Sequence, residues 1–156
     1  MKEKLFHGCK KGFQFYALVV ALGMTVLGLV LSFLSYSTGY YALGDKNSIL
    51  VVILCAMALF MGLAALFLGL RYANANWTGM IPMLFAMFLI LAAVFHIGDR
   101  FEGIGVCIVT DYDAGHGGEE AIYLSIAATA LWLVAAVLVL VGNFKPMLKP
   151  KEGDAV

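Results

Sequence analysis

The sequence predicts an all-α membrane protein, a bundle of four antiparallel transmembrane helices with both termini inside, and three observations predict it. Four stretches contain no Asp, Glu, Lys or Arg: Gly12 to Gly44, Asn47 to Leu70, Tyr72 to Gly98 and Ala121 to Phe144. Each exceeds the roughly 20 apolar residues with which a helix crosses a bilayer. The composition, 63% hydrophobic and 13% charged, carries more apolar surface than one small soluble core can hide. Finally, the basic residues are segregated. Lys2, Lys4, Lys10, Lys11, Arg71, Lys145, Lys149 and Lys151 fall on one side with three acids, and Lys46 and Arg100 on the other with seven. The positive-inside bias then places both termini and the loop between helices 2 and 3 in the cytoplasm. Lipid leaves backbone groups no water to bond, so the spans are helices or a closed barrel. Uninterrupted runs such as Ile49 to Leu70 lack the alternation of barrel strands.

The elements follow in order as helices near 13–36, 48–70, 79–98 and 119–143. Residues 1–145 form one membrane domain, and 146–156 a flexible cytoplasmic tail with two prolines and alternating charge. The basic start does not indicate a cleaved leader, because the apolar stretch is about twice a signal-peptide core and no small-residue cleavage site follows. Helix 1 is therefore a retained span. Phe13, Phe15, Tyr16, Tyr72 and Trp77 fit the inner interfacial belt, and Tyr36, Tyr40, Tyr41 and Tyr123 the outer one. Pro82 suits the first turn of helix 3.

Helices associate in lipid by close backbone approach, so small residues mark the contacts. In helix 2, Cys55, Ala58, Gly62, Ala65 and Gly69 make a continuous stripe at spacings of three and four. In helix 4, Ala121, Ala128, Ala135 and Gly142 recur every seventh residue, with Ser125 between the first two, and in helix 3 Gly79, Ala86 and Ala93 do the same. A seven-residue repeat predicts a left-handed bundle with crossings of about 20 degrees. Helix 1 offers two short seams, Ala17, Ala21 and Thr25, then Gly28 and Ser32. The stripes serve packing within the bundle, or one of them faces a partner. Trp132 lies mid-helix on the helix 4 seam, as a filler or as the wall of a small cavity.

Two groups of residues have chemical potential. His96 continues the small stripe of helix 3, with Asp99 at i+3 and Arg100 at i+4, so all three can share a face. An ionisable group at membrane depth is a candidate solute or proton site; the plainer reading puts His96 just below the interface, with Asp99 and Arg100 beginning the loop. The second group is the acidic outer loop, in which Val106 to Thr110 form a β-prone or membrane-lying run. Asp111 to Glu120 then combine four carboxylates, an imidazole and three glycines. Asp111 and Asp113 have the alternation of calcium ligands, and His116 with Glu119 or Glu120 the helical spacing of a transition-metal pair. The pattern departs from an EF-hand, with Gly115 at the fifth position and Ile122 at the twelfth. Glu119 and Glu120 also suit the dipole at the start of helix 4. The three cysteines, Cys9, Cys55 and Cys107, have no metal or redox spacing.

Nucleophile elbows, phosphate-binding loops and paired intramembrane carboxylates are absent from the sequence, so most enzyme classes lose support and no cofactor is expected. The chain resembles many small tetraspan proteins in outline, without the paired extracellular cysteines and Trp of claudin-like proteins. The sequence reading is a non-enzymatic, multi-pass interaction, assembly or accessory subunit of the bacterial cytoplasmic membrane. Its partners are membrane lipids and a membrane protein or second copy of itself, with no nucleic acid. The alternative is a small transporter or channel component with an outward-facing site around His96.

Overall fold

The computed structural model describes residues 10–38, 47–71, 79–110, 118–145 and 148–149. They form four helices, α1 (Phe13–Ser37), α2 (Ser48–Arg71), α3 (Met80–Thr110) and α4 (Gly118–Asn143), and two short strands, β1 (Lys10–Lys11) and β2 (Leu148–Lys149). Each helix includes a segment long and apolar enough to cross a membrane, in α3 the 22 residues Met80–Phe101. At about 1.5 Å per residue even that segment reaches about 33 Å, enough for a hydrocarbon core of about 30 Å. The chain is thus an all-α, multi-pass membrane bundle.

Successive helices run antiparallel around the bundle. α1 packs closely along α4, α4 along α3 and α3 along α2, whereas the α1–α2 edge is thin. At the end where α1 begins and α4 finishes, β1 and β2 pair antiparallel, Lys10 opposite Lys149 and Lys11 opposite Leu148. That pairing takes up two residues of the segment read from sequence as a tail; 150–156 lie outside the described residues.

The distribution of side chains is the one lipid favours. Without a hydrophobic force driving helices together, the bundle gains from dispersion between closely spaced backbones, and large apolar chains face the lipid instead. Phe60, Phe67 and Ile49 of α2 are more than half exposed, while Cys55, Ala58, Gly62, Ala65 and Gly69 of the same helix are buried. Ala121, Ala128, Ala135 and Gly142 are buried along α4, with Ser125, Trp132 and Ala136. In α1 the two short seams form one, Ala17, Ala21, Thr25, Gly28, Ser32 and Ser35, all buried. Ala17, Thr25, Gly28 and Ser35 of this seam meet α4, and Ser32 meets α3.

Close approach is literal at three glycines. A Cβ on Gly28 would lie 2.5 Å from Trp132 Nε1, one on Gly62 2.7 Å from Leu22 Cδ2, and one on Gly142 2.9 Å from the Ala17 Cβ. Polar bonds fasten the ends of the bundle. Near the termini, Gln14 Nε2 donates to Asn143 Oδ1 at 3.1 Å, and Asn143 Nδ2 donates to the Gly79 carbonyl at 3.1 Å. One amide thereby joins α4 to α1 and to the start of α3.

The sequence reading ends helix 3 near residue 98, but the helix runs on to Thr110 through the stretch read as β-prone or membrane-lying. Charge at Asp99 and Arg100 ends the lipid-crossing segment without breaking hydrogen bonds of the helix. Gly98, Gly103 and Gly105 each weaken a helix by only about 1 kcal/mol, and no proline intervenes. Burial of Arg100 and anchoring of Asp99, described below, hold the helix beyond the interface.

Candidate functional site

Three helices bring polar side chains together in the half of the bundle opposite the β1–β2 pair. His96, on α3, is wholly buried. Its Nδ1 lies 3.1 Å from the Tyr36 hydroxyl and 3.3 Å from Ser32 Oγ. Ser32 and Tyr36 are four residues apart, so one face of α1 presents both hydroxyls to one nitrogen. His96 Nε2 is also buried and has no hydrogen-bond partner among the described residues. Its ring stands edge to face against Tyr36 and against Trp132, with centroids 5.4 Å apart in each case.

Arg100 follows one turn later, 1% exposed, with its guanidinium carbon 4.2 Å from the centroid of Tyr36. That is cation–π distance, and removal from water strengthens such a contact. Among the described residues that are buried, Arg100 is the one that carries a permanent charge. A donor-only guanidinium, an imidazole and a phenol thus share one small region.

Asp99 turns away from this group. Its Oδ2 accepts the backbone N–H of Asn47 at 3.0 Å and its Oδ1 accepts from Asn47 Nδ2. The Asn47 carbonyl in turn accepts the Val51 N–H at 2.9 Å, the first hydrogen bond of α2. Asp99 therefore places a carboxylate at the positive end of α2 and ties α3 to it. The divergence follows from helix geometry. At about 100 degrees per residue, Arg100 falls about 40 degrees from His96 on one side and Asp99 about 60 degrees on the other. The face expected to hold three residues holds His96 and Arg100.

Trp132 walls the site on the α4 side. It is wholly buried, and its indole N–H donates to the Thr25 carbonyl at 3.2 Å. The absence of a side chain at Gly28 admits the ring against the α1 backbone. Nearby, Ser35 Oγ donates to the Ala121 carbonyl at 3.0 Å and lies 2.6 Å from Ser125 Oγ. With the one proton of Ser35 on that carbonyl, Ser125 is the donor between the two hydroxyls. Interhelical bonds of this kind contribute about 0.6 kcal/mol on average in membrane bundles.

The outer-loop metal candidates divide. Asp111, Asp113 and His116 lie outside the described residues, and Glu119 and Glu120 are exposed in the first turn of α4. Among the described residues no group of three or more His, Cys, Asp or Glu could hold a metal ion. Cys55 is a free thiol, buried between helices.

Sequence reasoning singled out His96 and Arg100 but treated Ser32 as a seam residue and Tyr36 as part of the interfacial belt. The signal that joins them is shared depth: Ser32 and Tyr36 end the small face of α1 at the level where His96 ends that of α3. Comparison with protein-family models, curated proteins and solved structures gave no match.

Proposed function

We propose that this multi-pass membrane protein acts as a small transporter or channel component of a bacterial cytoplasmic membrane. Both termini are cytoplasmic, and the binding centre at His96 is in the outward half of the bundle. The observation that carries this reading is His96 Nε2, a polar atom buried at membrane depth with no hydrogen-bond partner among the described residues. An unmade bond there costs about 1–3 kcal/mol, which a bound proton acceptor or donor recovers. The cluster is built from helices rather than loops, so its geometry is fixed by the same seams that hold the bundle.

The test is flux across proteoliposomes of purified protein, measured for protons and small ions. Wild-type protein supports a flux that His96→Ala abolishes while the variant stays monodisperse and helical. Equal flux in the two proteins refutes the reading.

The interaction or accessory-subunit reading has a separate support, the thin α1–α2 edge. The small-residue stripes do not add to it, since they are buried inside the bundle. Gentle affinity purification at native expression with mass spectrometry of the intact assembly tests it. A stoichiometric second protein or a fixed homo-oligomer supports it, and a lone monomer removes it.

A further inference from the structure

We propose that the β1–β2 pair is a clasp closed by the headgroup of an anionic phospholipid, bound at the basic corner that holds Lys10, Lys11, Lys145 and Lys149. This site lies at the opposite end of the bundle from His96 and does not depend on the transporter reading.

Backbone pairing lays out the charge. The register of β1 and β2 sets Lys10 directly opposite Lys149. Like charges directly opposite each other across an antiparallel pair are destabilising, and a two-stranded pair is marginal on its own in water. A ladder with two residues in each strand that holds such a pair is therefore completed by a counter-charge. The acids among the described residues do not supply it: Asp99 and Glu102 lie late in α3 and Glu119 and Glu120 begin α4, all at the far end of the bundle. Glu3, Glu152 and Asp154 lie outside the described residues, and even with them the basic side has eight lysines and arginines to three acids.

Depth selects a lipid over a soluble polyanion. Gly12 alone separates Lys11 from α1, and Lys145 comes two residues after α4, with its N–H on the Gly142 carbonyl at 3.0 Å. Both lysines are exposed. The Lys11 Nζ stands 4.3 Å from the centroid of the Phe15 ring, a cation–π contact that holds the ammonium beside the aromatic residues. Phe13, Tyr16 and Phe144 are exposed at the same end, as aromatic side chains at headgroup level are. A lipid phosphate at that level meets lysines that precede α1 and lysines that follow α4. One anion thereby draws the two segments together.

The full chain in neutral detergent micelles is titrated with phosphatidylglycerol. Bound lipid is read by native mass spectrometry, and amide exchange at residues 10–11 and 148–149 by NMR. Saturable binding is expected, with exchange at the clasp slowing in step with it. Lys10→Gln together with Lys149→Gln binds about tenfold more weakly or worse, since each lysine near an anionic surface contributes about fivefold. Lys2→Gln together with Lys4→Gln removes the same charge from the same side, outside the clasp, and costs less. Lys149→Glu supplies the counter-charge from the chain itself, so its clasp exchanges slowly with or without the lipid. Absent or non-saturating binding overturns the proposal, and so does equal weakening in the two double variants, which marks diffuse attraction rather than a site. Slow exchange of the wild-type clasp before any lipid is added shows that the chain closes it unaided and overturns the lipid's role. Inorganic phosphate or glycerol phosphate slowing exchange as well as phosphatidylglycerol assigns the corner to a free anion and overturns the lipid.

Discussion

Adding one methyl group at Gly28 tests whether α1 and α4 touch as closely as described. In Gly28→Ala the new Cβ would meet Trp132 Nε1 at 2.5 Å, Cδ1 at 2.9 Å and Cε2 at 3.1 Å, where ordinary contacts begin at 3.4 Å. The indole must retreat by about 1 Å, since helix backbone yields less readily than a side chain. It has little room to do so, with its N–H bonded to the Thr25 carbonyl and its ring against His96. Overpacking of this kind costs about 1–3 kcal/mol. Replacing a helical Gly by Ala returns about 1 kcal/mol, so the net loss reaches about 2 kcal/mol. Reversible unfolding in mixed micelles measures it, with Gly23→Ala as the control, because nothing lies within 4 Å of a Cβ there. Trp132→Phe, lacking the indole nitrogen, should turn the Gly28→Ala penalty into a neutral or favourable change. A stabilised Gly28→Ala protein, or the same penalty in both backgrounds, would refute the close contact.

Three further outcomes are expected. Asn143→Ala severs the bonds to Gln14 and Gly79 and should cost about 1–2 kcal/mol, at the scale of two interhelical bonds in lipid; an unchanged unfolding midpoint contradicts that bridging role. Asp99→Ala should raise amide exchange in the first turn of α2 by about tenfold, as loss of a charged cap of about 1.4 kcal/mol implies, leaving the middle of α2 unaffected. Exchange spread evenly along the helix would show that Asp99 does not anchor it. In a Cys9→Ser, Cys107→Ser background, the buried Cys55 should resist a bulky maleimide until the protein unfolds, and rapid labelling of native protein would place α2 the other way round.

The four spans are legible because charge is absent from long runs, and lipid tolerates few alternatives to a helix. The inward faces are legible for a different reason. Small residues are the means of close approach, so the stripe from Cys55 to Gly69 and the repeat from Ala121 to Gly142 coincide with what is buried in α2 and α4. The end of α3 is not legible: an Asp and an Arg at the interface look like the start of a loop, and only their tertiary partners, Asn47 and Tyr36, carry the helix onward. Likewise, His96 and Arg100 stand out as ionisable groups beside a span. Their pairing with Ser32 and Tyr36 depends on the relative depth and rotation of two helices diagonal in the bundle, which no local pattern encodes. The same rotation separates Asp99 from its neighbours.

Nitrogen NMR of the protein with labelled histidine, in a His7→Gln, His116→Gln background that leaves His96 as the sole imidazole, tests most directly whether His96 is a buried binding group. A single slowly exchanging tautomer is expected, and Ser32→Ala together with Tyr36→Phe should shift the Nδ1 signal. An imidazole that averages both tautomers in exchange with water, or an Nδ1 signal indifferent to the loss of both hydroxyls, would contradict the geometry on which the proposed site depends.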